Sequence, residues 1–172
     1  MSSIRDIGID TINEQGEAVR VAEGAVDGTA ILDGSVENID LGMPKLRIKQ
    51  VALSVSAFTD NEDTTGEIEL PFTIPAGAVY VRTTIDSVVG FTGDTSAVIT
   101  IGDGTDVDRY NTGTPNVFAT ASHIDAGAPS GDLFHTADIE PVITITTATD
   151  FTLCKTDGKG EVVITMYWYQ SV

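Results

Sequence analysis

The sequence predicts an all-β protein: an antiparallel β-sandwich of jelly-roll type, preceded by an extended N-terminal arm. Thr, Val and Ile together number 57 of the 172 residues, whereas Leu numbers only 7. β-Branched side chains pack well on a pleated sheet and favour strands over helices. Seventeen Gly and six Pro supply turns for many short strands. No helical period extends beyond a turn or two, which agrees with this fold class.

The predicted arm comprises residues 1–45 and differs in composition from the rest of the chain. It carries nine acidic and three basic residues and no aromatic residue. Its short apolar runs contain too few large side chains to bury much surface by themselves. The composition favours an arm that lies on a neighbouring molecule, and a first β-hairpin of the domain is the alternative. The β-sandwich domain is expected to span residues 46–172.

This domain contains eight predicted strands with turn signals between them, at a spacing of about ten residues that is typical of sandwiches and jelly rolls. They are expected at residues 46–57, 68–74, 79–89, 97–101, 117–121, 142–146, 151–154 and 161–169.

Local patterns refine four of these strands. The apolar positions change parity between Ile48 and Val51, which predicts a β-bulge there. Pro71 cannot donate a ladder hydrogen bond, so its strand is expected at a sheet edge or a bulge. A turn at residues 155–160 is expected to join the last two strands as a hairpin. The final strand, 161–169, is apolar on both faces, so it is either central in the sandwich or covered by a partner.

The net charge of −17 argues against binding to nucleic acid or to an anionic membrane, because both require clustered Lys and Arg. The nine basic residues appear scattered along the sequence. The first residues lack an apolar signal region, and no stretch approaches the ~18 apolar residues of a membrane span. We therefore expect a soluble protein that is synthesised in a cytoplasm. Cys154 lies in an apolar stretch and is expected to be buried.

No combination of residues indicates catalysis, and the sequence predicts a protein that is not an enzyme. His123 and His135 stand in no nucleophile or metal motif, and they are interpreted as isolated loop residues or, alternatively, as a two-histidine metal site in an oligomer. The acidic string that contains Asp103, Asp106 and Asp108 offers oxygen ligands for Ca²⁺, although its spacing differs from that of an EF-hand. The alternative interpretation is a solvated turn with no cofactor.

From residue 67 onward the chain resembles small virion structural proteins of tailed bacteriophages, of the capsid decoration or cement type. The resemblance is carried by the turn Pro75-Ala76-Gly77 and the Val-rich strand after it, by Ile101-Gly102-Asp103-Gly104-Thr105-Asp106, and by the β-strand patterns of residues 142–146 and 162–169. The string Ile-Gly-Asp-Gly-Thr-Asp at residues 101–106 is the most specific of these features. The resemblance covers about three fifths of the chain and excludes the arm.

The resemblance implies a β-sandwich on the outer surface of the virion, a homotrimer that clamps subunits of the major capsid protein. It implies no catalytic residues. The alternative is a receptor- or glycan-binding virion module, such as a head fibre or tail-tip domain, with exposed aromatic residues. A hydrolase or an unrelated soluble β-domain is the third reading.

Overall fold

The computed structural model describes residues 44–170. The predicted arm, residues 1–45, lies outside the described residues except for its last two. The strands are β1 (Lys45–Ser54), β2 (Thr59–Asp60), β3 (Thr65–Glu69), β4 (Val79–Val89), β5 (Ala97–Gly102), β6 (Ala121–Ile124), β7 (Val142–Thr147) and β8 (Glu161–Gln170), with one α-helix, α1 (Phe151–Asp157), between the last two. Within this part of the chain, no helix is long and apolar enough to cross a membrane.

The strands form two four-stranded antiparallel sheets, which confirms the all-β prediction. The first sheet has the order β1-β8-β4-β6 and the second has the order β2-β3-β7-β5. Side chains from both sheets pack into one shared hydrophobic core. Its largest fully buried side chains are Tyr80, Tyr110, Phe58, Phe91, Phe151, Ile74, Ile85, Ile99, Ile101, Ile143, Ile145 and Ile164.

The strand pairs are nested along the chain. β1 pairs with β8, β3 with β7, and β4 with β6. Inside these pairs, β5 meets the returning chain at a bridge between Val98 and Asn116. The chain therefore resembles one long antiparallel hairpin. The hairpin is folded over, so that its strands are divided between the two sheets.

β8 is central in the first sheet, between β1 and β4. Its inner side chains Val162, Ile164, Met166 and Trp168 are all at most 3% exposed. The first of the two alternatives for this strand, a central position, is therefore confirmed. On its outer face, Tyr169 remains 42% exposed.

The predicted bulge in β1 is wrong. All ten residues of β1 pair with β8 in uninterrupted register, from Lys45 opposite Gln170 to Ser54 opposite Glu161. The apolar side chains change parity because they lie on different faces of the sheet. Leu46 and Ile48 point outward and are 46% and 55% exposed, whereas the inner face becomes apolar only from Val51 onward.

The predicted strand at residues 151–154, and with it the hairpin at 155–160, is also wrong, because these residues begin helix α1. The carboxylate of Asp150 caps the helix by accepting a 2.8 Å hydrogen bond from the N–H of Thr152. Gly158 ends it in the left-handed conformation, with φ 71°. Phe151 and Cys154, three positions apart, bury one helical face. The predicted burial of Cys154 is confirmed.

Two further strand boundaries differ from the prediction. The strand expected at residues 68–74 ends at Glu69, before Pro71, and it lies between β2 and β7 rather than at an edge. The strand expected at 117–121 lies instead at Ala121–Ile124, where it pairs with β4.

Candidate interaction surface

The predicted cation loop follows β5 and is organised around Asp103. One carboxylate oxygen, Oδ1, accepts hydrogen bonds from the N–H groups of Thr105 and Asp106, at 2.9 and 2.8 Å. The other oxygen, Oδ2, pairs with the Arg109 guanidinium at 2.8 Å. Burial raises the pKa of Asp103, but these donors lower it by more, so the net pKa lies below the usual value. Asp103 thus closes a turn and neutralises Arg109.

Asp106 and Asp108 are close enough to each other to interact. Their hydrogen bond and mutual repulsion raise the pKa of Asp108. Asp106 also accepts a 3.1 Å hydrogen bond from the Ser130 hydroxyl. Residues 44–170 contain no group of three or more His, Cys, Asp or Glu side chains arranged to share a metal ion. The Ca²⁺ site at Asp103, Asp106 and Asp108 stays a prediction.

The two histidines lie in different environments. His135 is only 1% exposed, and its Nε2 lies 3.4 Å from the Tyr110 hydroxyl. Its Nδ1 finds no hydrogen-bond partner among the described residues. His123 is an exposed residue of β6, with Nδ1 2.7 Å from the Asp86 carboxylate on β4. This contact is the largest cause of the lowered pKa of Asp86.

The most distinctive surface lies on the outer face of the first sheet, where β1, β8 and β4 run side by side. In the register of these strands, Leu46 lies opposite Tyr169, which lies opposite Val79, and Ile48 lies opposite Tyr167. Directly paired residues of antiparallel strands share a face, so these five side chains are neighbours. We call them the outer cluster.

The outer cluster is unusually exposed for its apolar character. The exposed fractions are 46% for Leu46, 55% for Ile48, 41% for Val79 and 42% for Tyr169. The guanidinium of Arg82 stacks over the ring of Tyr167, 4.5 Å from its centroid. Contiguous exposed apolar groups rimmed by polar residues are typical of surfaces that contact other molecules.

The inner face of β1 is basic over its first five residues. Lys45, Arg47 and Lys49 alternate along β1 on the inner side, opposite Gln170, Trp168 and Met166 of β8. Arg47 and Lys49 are nevertheless exposed. The interpretation of the basic residues as scattered is therefore wrong, since three of the nine form a row on one strand.

A groove of about 640 Å³ runs beside this row. Arg47 and Lys49 line it, together with Thr73, Pro75 and Trp168. The indole Nε1 of Trp168 finds no hydrogen-bond partner among residues 44–170. Leu46, Ile48 and Gln170 also line the groove, which therefore combines two cationic donors with apolar and neutral polar side chains.

Neither the outer cluster nor the basic row of β1 was predicted from the sequence, although the sequence contains a signal for both. The string Lys45-Leu46-Arg47-Ile48-Lys49 alternates basic and apolar residues with the period of a strand. It identifies a strand with one basic and one apolar face. Only the order of strands in the sheet reveals that, among residues 44–170, this strand lies at an edge.

Comparisons with known proteins give little information about this chain. No family model matches it, and no curated protein matches it. A similar solved structure is the cyanophage Pam1 capsid asymmetric unit, with 18% sequence identity and a TM-score of 0.42 over 74% of this chain and 84% of that chain.

Proposed function

We propose that this chain is a structural protein of a tailed-phage virion that decorates the capsid and has no catalytic activity. It is synthesised in the host cytoplasm and binds subunits of the major capsid protein on the outer surface as a symmetric homotrimer. The sequence resemblance from residue 67 onward supports the virion role. The all-β body and the acidic composition, which disfavours contact with nucleic acid and membranes, agree with it.

We further infer that the sandwich is a jelly roll. The support is the nesting of its pairs: β1 with β8, β3 with β7, β4 with β6, and β5 with the segment at Asn116. A jelly roll arises when one long antiparallel hairpin wraps into two sheets, and this produces the same nested pairing.

The observation that carries the proposed role is the outer cluster. Removing such side chains from water contributes ~25 cal/mol for each Å² of apolar surface, so covering them with another protein is favourable. A symmetric oligomer presents several copies of the cluster at once, which converts weak single contacts into high avidity. These contacts would hold neighbouring capsid subunits together and raise the barrier to rupture of the shell.

The proposed lack of catalysis, and of any required cofactor, agrees with the local environments of the reactive side chains. Cys154 is buried, burial raises the pKa of its thiol, and the thiol donates to the carbonyl oxygen of Phe91 at 3.7 Å. The buried imidazole of His135 contacts Tyr110 rather than a nucleophile. These residues contribute to the core and its polar contacts.

The test is a binding measurement on purified particles that lack the protein. The double variant Ile48→Ser, Tyr169→Ser removes the most exposed side chain of the outer cluster on each of the neighbouring strands β1 and β8. We expect occupancy to fall at least tenfold and the heat stability of the particles to return to that of undecorated shells. The control is Val107→Ser, Leu153→Ser, which alters two equally exposed apolar residues elsewhere, at 59% and 43% exposure.

Full occupancy of the outer-cluster variant would contradict the docking surface. Native occupancy with no change in particle heat stability would contradict the stabilising role.

A receptor- or glycan-binding role is the alternative, and the exposed ring of Tyr169 on the outer cluster favours it. Aromatic rings provide stacking surfaces for apolar faces of ligands. A glycan array probed with the full-length protein and with Tyr169→Ser distinguishes the two roles. Retention of a defined glycan by the native protein and its loss in the variant would support this alternative.

A further inference from the structure

β1 is an edge strand. It pairs with β8 over its full length of ten residues, and within residues 44–170 no strand pairs with its other side. Every second residue of such a strand directs its backbone N–H and C=O away from the sheet. These groups form a ladder that an extended segment of another polypeptide can complete.

The side chains along this edge indicate which charge an added strand should carry. Lys45, Arg47 and Lys49 present three positive charges on the inner side, in a protein whose net charge is −17. Two of these residues, Arg47 and Lys49, also line the adjoining groove. A row of three cationic side chains is complementary to carboxylates.

The outer side of the same edge indicates a second requirement. Leu46 and Ile48 alternate with the basic residues and are exposed beside the edge. An added strand would place its own side chains alternately on the two faces. Acidic residues would meet the basic row, and apolar residues at the intervening positions would meet Leu46 and Ile48.

We propose that the edge of β1 left unpaired by residues 44–170 binds an extended acidic segment of a partner protein, in which carboxylates alternate with apolar residues. A second copy of β1 does not fit this site, because antiparallel pairing of two such strands would place their Lys and Arg rows on one face. The positive row therefore disfavours self-association of the edge and favours an acidic strand. The inference is independent of whether the partner belongs to a capsid.

The test uses the full-length chain and a synthetic ten-residue peptide with blocked ends, in which Glu alternates with Val and Thr. Amide hydrogen exchange and NMR titration report on each residue of β1. We expect the peptide to slow exchange at every second residue of β1 by at least tenfold, and to bind more weakly as salt concentration rises. A peptide with Lys in place of Glu should produce neither effect.

A matched pair of variants tests the role of charge. Lys49→Glu reverses a charge on the row, whereas Lys159→Glu makes the same change at an exposed residue after α1. We expect affinity for the acidic peptide to fall at least tenfold in the first variant and to change less than twofold in the second. Equal affinities in both variants would overturn the proposal.

Two further outcomes would also overturn it. Alternate amides of β1 that are already protected without peptide, at all protein concentrations, would show that residues 1–43 of the same chain occupy the edge. Protection that increases with protein concentration would show that a second copy occupies it.

Discussion

Gly66 on β3 lies directly against the ring of Phe151, the first residue of α1. A Cβ atom at position 66 would stand 2.1 Å from Cε1 of that ring. The missing side chain makes room for Phe151, which is fully buried and also packs against Phe58 at a centroid distance of 6.1 Å. Gly66 thus allows the first residue of α1 to pack into the core.

We expect Gly66→Ala to destabilise the fold by ~1–3 kcal/mol, the usual cost of overpacking a close-packed site. Chemical denaturation of the purified protein measures this change. Gly113→Ala is the matched control, because a Cβ there would meet only ordinary contacts, the nearest at 3.8 Å. An alanine at position 66 that is as well tolerated as one at 113 would show that α1 can shift without cost.

The buried His135 predicts a dependence of stability on pH. Burial lowers the pKa of its imidazole, whereas the unfolded chain takes up the proton near pH 6.5. The contribution of neutral His135 to folding stability is therefore complete above about pH 6.5. It decreases as the pH falls below about 6.5 toward the pKa of His135 in the folded protein. Denaturation midpoints between pH 8 and 5 should decline less in His135→Gln than in the native protein.

Ser87 on β4 has a positive φ of 51° in a stretch where the pairing with β8 shifts register. A side chain in this left-handed conformation costs ~1–2 kcal/mol, and glycine avoids that cost. We expect Ser87→Gly to stabilise the protein by about 0.5–1 kcal/mol. Ser87→Ala removes the hydroxyl but retains the Cβ, so it should not stabilise. Equal effects of the two variants in thermal melts would point to the hydroxyl instead of the backbone.

The interactions of Asp103 predict that its charge matters for stability. Asp103→Asn weakens two backbone hydrogen bonds and the ion pair with Arg109, at a side chain only 7% exposed. We expect a loss of about 1.5–3 kcal/mol, as for hydrogen bonds to a charged group. Asp108→Asn, by contrast, relieves repulsion from Asp106 and should not destabilise.

The same variants test the predicted cation. We expect the melting temperature of the native protein to be unchanged by a chelator, because Asp103 is neutralised by Arg109. A chelator-dependent decrease in the native protein that is absent in Asp108→Asn would instead establish a cation shared by this loop.

The turn at Gly102-Asp103-Gly104 depends on a contact that the sequence does not reveal. Its residue types suggested either a turn or a ligand set, and the sequence could not distinguish them. In the folded chain a Cβ on Gly102 would lie 2.2 Å from the carbonyl oxygen of Asp106. The turn therefore requires Gly102, because the backbone at Asp106 returns across it. Assigning strands from the sequence does not predict this contact between residues four positions apart.

Local sequence alone determined the all-β class and the positions of the long strands such as β4 and β8. Their alternation of β-branched and polar residues has the period of a strand, and this preference is local. Tertiary structure completed the choice of a helix at 151–154, because the packing of Phe151 on Gly66 adds to the local cap at Asp150 and the two together outweigh the apolar run. Tertiary structure alone decided that, among residues 44–170, β1 lies at the edge of its sheet. Strand order depends on pairing between residues more than one hundred positions apart, and such pairing is settled only when the core forms.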